Sequence, residues 1–145
     1  MIRFFGGRVM TLANGIETQD IEVWTEGSKI VFVGKPKAEE LDGKVFEREY
    51  DLKGNLLMPS FKNAHTHSAM TFLRSYADDM PLQDWLFKQI FPMEAKLDGE
   101  KVYWLTKLAI LEYLTTGCTA AFDMYFELDD YVKACTESGF RSVLC

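Results

Sequence analysis

The chain has only two histidines, His65 and His67, among its 145 residues. Any imidazole chemistry within these 145 residues must therefore use these two. Cysteine is also scarce: Cys118, Cys135 and Cys145 are an odd set without CxxC spacing. That excludes a disulfide framework and a four-cysteine metal site, and reads as buried thiols in a reducing cytoplasm. Positive charge is in deficit, with a formal net charge of -6. This argues against nucleic acid or an anionic membrane as the main partner. No apolar run is long enough to span a bilayer, and the opening MIRFFGGRVM is too short and mixed for a signal peptide. No internal repeat and no low-complexity segment is present. What remains is a globular composition, 48% hydrophobic and 14% aromatic, long enough for a real core.

The pattern changes character near residue 58. Before it come short strands and turns. IRFFGG and RVMTL are apolar runs split by Gly6-Gly7. DIEVWTEGSKIVFVGK reads as a hairpin, with Ile21 and Val23 against Ile30 and Phe32 around Glu26-Gly27-Ser28. KVFEREYDLKGNLLMP adds an alternating strand, a Lys53-Gly54-Asn55 turn and a last apolar run. Residues 1–57 are expected to form a small antiparallel β unit.

Residues 58–145 alternate strand and helix. LLMPSFKNAHTH is expected to be a strand with its exit loop. In PLQDWLFKQIF, Pro81 suits a first helical turn and Pro92 should end or kink the helix. The longest helix follows Asp98 as N-cap, with Val102, Leu105, Leu108, Ala109 and Leu111 on its buried side and Gly117 closing it. CTAAFDM is a short strand, ELDDYVKACTES a helix stopped by Gly139, and FRSVLC a further strand. This order predicts an α/β fold with parallel βα units. Three strands are too few for a closed barrel, which takes about 250 residues. The chain is therefore expected to be a piece of something larger.

MPSFKNAHTHSAM places His65 and His67 two residues apart at the end of the first of these strands. Residues two apart on a strand point to one side, with backbones about 7 Å apart. Two imidazoles can thus converge on one metal, with zinc, iron, nickel or copper preferred over magnesium or calcium. The C-terminal end of a strand is also where α/β folds keep their chemistry. The plainer alternative is two hydrogen-bonded histidines without a metal. A catalytic zinc needs about three protein ligands. Asp51, Asp78, Asp79 and Asp123 are the carboxylates on offer, and spacing selects none of them. The missing ligands are expected beyond residue 145.

LMPSFKNAHTHSAM resembles the first barrel strand of the amidohydrolase superfamily. YADDMPLQDWLFKQIFPMEAKL and TTGCTAAFDMYF are similar to its branch of 5-methylthioadenosine/S-adenosylhomocysteine deaminases, guanine deaminases and triazine chlorohydrolases. The resemblance covers essentially the whole chain and is most specific over residues 58–70 and 76–97. It implies the first βα units of a metal-dependent (β/α)8 TIM barrel, preceded by part of a small β-sandwich domain. It further implies that His65 and His67 hold one divalent metal, zinc or iron, and that Glu94 grips the ribose hydroxyls of an adenosine-type substrate. A helix-end carboxylate is the alternative for Glu94. Trp85 falls where the family has an aromatic near the substrate pocket, although a core aromatic is the stronger reading of that residue. Asp123 reads as structural or as a support to the site, and Tyr125 closes the same strand. Ser60, Lys62 and Phe91 depart from the family's usual glycine, apolar residue and tryptophan. Phe91, close to Glu94, bears on which substrate is taken.

The implied activity is hydrolytic deamination of an aminated purine nucleoside by metal-activated water, in a full-length cytoplasmic homo-oligomer. The remaining catalytic groups would lie beyond Cys145, so the 145-residue chain alone should be inactive. Guanine deamination and triazine dechlorination are alternatives within the superfamily. A non-catalytic truncated protein, covered by a partner or by its own copy, is the alternative outside it.

Overall fold

The computed structural model describes residues 1–13 and 15–145. The chain divides into two compact units, Met1–Pro59 and Ser60–Cys145, two residues later than the change of pattern at 57/58. No helix among the described residues is long and apolar enough to cross a membrane.

The first unit holds two sheets. Its strands are β1 (Ile2–Phe5), β2 (Arg8–Thr11), β3 (Glu17–Gln19), β4 (Glu22–Glu26), β5 (Lys29–Gly34), β6 (Arg48–Asp51) and β7 (Leu56–Leu57), with a short helix α1 (Ala38–Leu41) before β6. One sheet runs β5-β4-β1-β6 and the other β3-β2-β7. The antiparallel unit expected from sequence is in fact mixed: β6 pairs parallel to β1, and β7 parallel to β2. The reason lies in the two sharp bends. Segments 2–11 and 48–57 run side by side in the same direction and change sheet at the same place. There the Leu52 N–H donates to the Phe5 carbonyl at 2.7 Å, the Gly54 N–H to Gly6 at 2.7 Å, and the Arg8 N–H to Asn55 at 3.1 Å. Gly7 permits this approach, since a Cβ on it would stand 2.4 Å from the Asn55 carbonyl oxygen.

The β4–β5 hairpin forms around Gly27-Ser28, but a bulge after Trp24 shifts its register. Val23 thus faces Val33 and Trp24 faces Phe32, not the pairs read from alternation. Trp24 and Phe32 stack with ring centroids 4.2 Å apart. Glu22 accepts from Arg3 Nε at 2.7 Å, Arg3 Nη2 at 2.6 Å and Trp24 Nε1 at 2.9 Å. This bidentate pair anchors the sheet's middle strands.

The second unit carries the parallel sheet: β8 (Phe61–Thr66), β9 (Cys118–Asp123) and β10 (Arg141–Leu144), in the order β10-β9-β8. After β8 comes a 3₁₀ turn, Ser68–Leu73. A helical run then extends from Leu82 to Glu94. It opens as α2 (Leu82–Asp84), widens to a π-helix over Trp85–Ile90, and closes as α3 (Phe91–Glu94). Pro92 was expected to end or kink this helix and does not break it. Proline has no N–H to give, and the wide π turn just before it moves the register, with the Phe91 N–H donating to the Leu86 carbonyl.

Helix α4 (Gly99–Thr115) starts at Asp98, whose side chain accepts from the Lys101 N–H at 3.0 Å. Gly117 (φ +82) turns the chain out of it into β9. Its buried face is Val102, Thr106, Ala109 and Ile110. Leu108 and Leu111, expected inside, are 44% and 59% exposed. Helix α5 (Leu128–Ser138) packs on α4. The core joins Val102 and Ile110 to Ala121, Tyr131 and Phe140. Cys118 and Cys135 are buried in this unit, but Cys145, expected to be buried as well, is exposed.

Candidate active site

The C-terminal ends of β8 and β9 lie side by side, with Thr66 paired to Asp123. His65 is exposed on β8. His67 is half-buried one residue beyond the strand, where its carbonyl accepts the Met70 N–H at 2.9 Å and begins the 3₁₀ turn. The two rings meet edge to face with centroids 5.0 Å apart and planes at 84°. Asn63 Oδ1 accepts the His65 N–H at 3.2 Å.

His67 Nδ1 lies 2.9 Å from the Met124 carbonyl oxygen. A carbonyl only accepts, so Nδ1 carries the proton and donates it. In the neutral ring, Nε2 is then the nitrogen with the free lone pair. Such an arrangement is how a metal-ligating histidine is commonly held, its second nitrogen committed to a carbonyl. The donor chemistry therefore fits a divalent metal of the zinc class. Among the described residues, no group of three His, Cys, Asp or Glu side chains could hold a metal.

Asp123 supports this arrangement from below. Its side chain is fully buried, at 0% exposure. It accepts from the Ser68 N–H at 3.2 Å, from the Tyr131 hydroxyl at 2.6 Å and from the Ser68 hydroxyl. The Met124 N–H donates to the Thr66 carbonyl at 3.2 Å. Residues 66–68 and 123–124 are thus laced together on both sides of His67. Burial, with the neighbouring Asp123 charge, pushes the Tyr131 phenol up from its ordinary range.

Beside His67 opens a mainly apolar cavity of about 320 Å³, whose walls include Met70, Trp85, Glu94, Tyr125 and Phe126. Trp85 and Glu94 both come from the helical run Leu82–Glu94. The structure brings His67, Trp85 and Glu94 to one cavity. His65 stands next to His67 and is not among the lining residues. Burial raises the Glu94 carboxyl above its ordinary value; the Tyr125 hydroxyl and His67 oppose that shift. Tyr125 is 7% exposed, and its buried hydroxyl is felt by the Glu94 carboxyl although it makes no hydrogen bond of normal geometry among the described residues. Burial and the negative charges of Glu94 and Asp123 drive its phenol up in turn.

The residues that sequence reasoning left without a role are Tyr125 and Met124. Met124 acts through its backbone, which no side-chain pattern reveals. Tyr125 had a signal, since the polar aromatic of DMYF lies two residues past a strand's C-terminal end.

A model of the amidohydrolase family matches residues 56–145. A curated 5-methylthioadenosine/S-adenosylhomocysteine deaminase of Desulfitobacterium hafniense is 44% identical over 123 residues, which is 85% of this chain and 28% of the relative. A 5'-deoxyadenosine deaminase of Methanoregula boonei is 53% identical over 95 residues, covering 66% of this chain and 22% of the relative. The chain thus spans about a quarter of the length of these relatives. Among solved structures, an adenosine deaminase from Xanthomonas campestris with bound zinc superposes with a TM-score of 0.89 at 33% identity. That match covers 98% of this chain and 33% of the other.

Proposed function

This chain belongs to the amidohydrolase family, and on that premise we propose that it carries the opening part of a metal-dependent deaminase. The substrate is an aminated purine nucleoside of the 5-methylthioadenosine or S-adenosylhomocysteine type. The observation that carries this reading is the joining of three elements in one place: a histidine pair with one tautomer enforced, an apolar cavity, and a carboxylate in its wall. The relatives named as deaminases of adenosine-type nucleosides, at 44% and 53% identity, support the substrate class. The likeness to an atrazine chlorohydrolase of Arthrobacter aurescens, at 22% identity, supports the fold alone.

In this proposal β8, β9 and β10 are the first strands of a (β/α)8 barrel, and His65 and His67 hold the metal through their free ring nitrogens. A metal of the zinc class, when bound, supplies the Lewis acidity that lets water attack near neutral pH. The Met124 carbonyl keeps the proton on His67 Nδ1, so the ring presents Nε2 without reorganising. Trp85 provides a flat apolar wall for the purine. Glu94 accepts the protons of the ribose cis-diol. The further metal donors and the groups that move the proton to ammonia come from outside these 145 residues.

Two measurements test the proposal. The protein as its own cells make it, loaded with zinc, should release ammonia from 5'-methylthioadenosine or S-adenosylhomocysteine, and His67→Ala should abolish both zinc retention and release. Ammonia from guanine alone, or chloride from a triazine alone, would sink the substrate assignment. The 145-residue chain by itself should release no ammonia from any of them, because two donors leave the metal site open.

A further inference from the structure

Nothing in the proposed chemistry uses the hydroxyl of Tyr113. This residue stands near the end of α4, and its ring stacks on Phe140 with centroids 5.5 Å apart and planes at 22°. Its hydroxyl lies 2.6 Å from the Thr66 hydroxyl and 2.9 Å from the Ser68 hydroxyl. These are the residues immediately before and after His67. One phenol thus grips the chain on both flanks of a candidate metal ligand.

The direction of these bonds follows from the number of protons. The Asp123 carboxylate only accepts, so the single proton of Ser68 Oγ goes to it. Ser68 Oγ then accepts from Tyr113. The Tyr113 oxygen, its own proton given away, accepts from Thr66. The chain runs one way, from Thr66 through Tyr113 and Ser68, and ends on a fully buried carboxylate. No hydroxyl in it can turn round without breaking the next bond.

We propose that Tyr113 is a positioning residue for His67. It ties Thr66 and Ser68 to one point on α4 and so keeps the imidazole where its Nδ1 proton reaches the Met124 carbonyl, at 2.9 Å. This rests on the reading of His67 as a metal ligand and deepens it. A ligand whose flanks are already fixed loses little freedom when it binds. Without the phenol's proton the flanks loosen, and binding must order them again.

The test is equilibrium zinc binding to the protein as its cells make it, stripped of metal and titrated against a competing chelator, so that no turnover intrudes. Tyr113→Phe keeps the ring and its stack on Phe140 and removes only the hydroxyl. It should weaken zinc about tenfold, equivalent to about 1.4 kcal/mol. Should that variant not fold, Ser68→Ala, which breaks the same chain one bond further on, takes its place with the same expectation. Ile110→Val trims the core side of the same helix. It lowers stability without touching the flanks of His67 and should leave zinc affinity unchanged. Wild-type zinc affinity in the hydroxyl variant would overturn the proposal. An equal or larger loss in Ile110→Val would overturn it as well, because zinc affinity would then only follow stability. His67→Ala separates the two readings. If it loses zinc while Tyr113→Phe does not, only this inference falls. If the wild type binds no zinc, or His67→Ala binds it as tightly, the metal reading falls with it.

Discussion

Replacing Asp123 by asparagine keeps the shape of the side chain and removes its charge. In the native chain both carboxylate oxygens face donors: the Ser68 N–H at 3.2 Å, the Tyr131 hydroxyl at 2.6 Å and the Ser68 hydroxyl. The two hydroxyls can rotate to suit an amide, but the Ser68 N–H cannot. The Ser68 N–H lies 3.2 and 3.3 Å from the two carboxylate oxygens, so whichever way the asparagine turns, its NH2 meets that fixed donor. A hydrogen bond to a charged group contributes about 1.5–3 kcal/mol, and the neutral versions of the others about half as much. Asp123→Asn should therefore destabilise the second unit by about 3 kcal/mol. Urea unfolding followed by circular dichroism measures this. With an m-value of about 1.5 kcal/mol/M, the midpoint should fall by about 2 M. Tyr131→Phe, which loses the hydroxyl that bonds both Asp123 and Ser142, should lower the midpoint as well. A midpoint shift for Asp123→Asn of less than about 0.3 M would refute the reasoning and mean that the buried network adds nothing to stability.

Two further predictions concern the first unit. Paired with Arg3 first of all, Glu22 sits below its ordinary value of 4.5 against the opposing cost of burial, and Trp24 helps to hold it there. A depressed folded value means that this contribution is complete above the ordinary value and is lost as the pH falls through the folded one. Glu22→Gln should therefore lower stability at neutral pH and flatten the acid limb of a stability-against-pH curve; an unchanged acid limb would rule the pair out as its source. Gly7→Ala should cost about 2 kcal/mol in urea unfolding, because its Cβ meets the Asn55 carbonyl oxygen at 2.4 Å and the Leu52 Cβ at 2.6 Å; wild-type stability would mean that the two bends can part freely.

The legible parts of the fold are those decided by a few neighbouring residues. The Asp98 cap and the Gly117 exit bracket α4 as expected, because both act through local backbone geometry. The same holds for the order of strand and helix after residue 58. Where several outcomes share one local pattern, the reading failed. Helix α4 is apolar nearly all round, so its period does not say which face is buried. Contact with α5 and the 3₁₀ turn selects Thr106 and Ile110 and leaves Leu108 and Leu111 outside. Pro92 reads as a helix end unless the turn before it widens, and that widening is not written in any single residue. The parallel pairing of β1 with β6 joins residues 46 apart, from Ile2 to Arg48 and onward, beyond the reach of alternation.

At the site, the pair His65–His67 stands out in the sequence because histidine occurs nowhere else, and its rings lie 5.0 Å apart although His67 falls one residue beyond the strand. Residue type alone also makes Glu94 an acceptor and Trp85 a flat apolar surface. The tertiary structure decided everything that depends on distance between segments. It set the tautomer of His67, because the proton on Nδ1 answers to a backbone carbonyl 57 residues away. It brought Trp85 and Glu94 to the same cavity as His67, because the run Leu82–Glu94 continues through Pro92. It also buried the Tyr125 hydroxyl beside the Glu94 carboxyl. A side chain's chemistry travels with its letter in the sequence. Whether that chemistry is satisfied depends on which other segments fold against it, and no single segment carries that information.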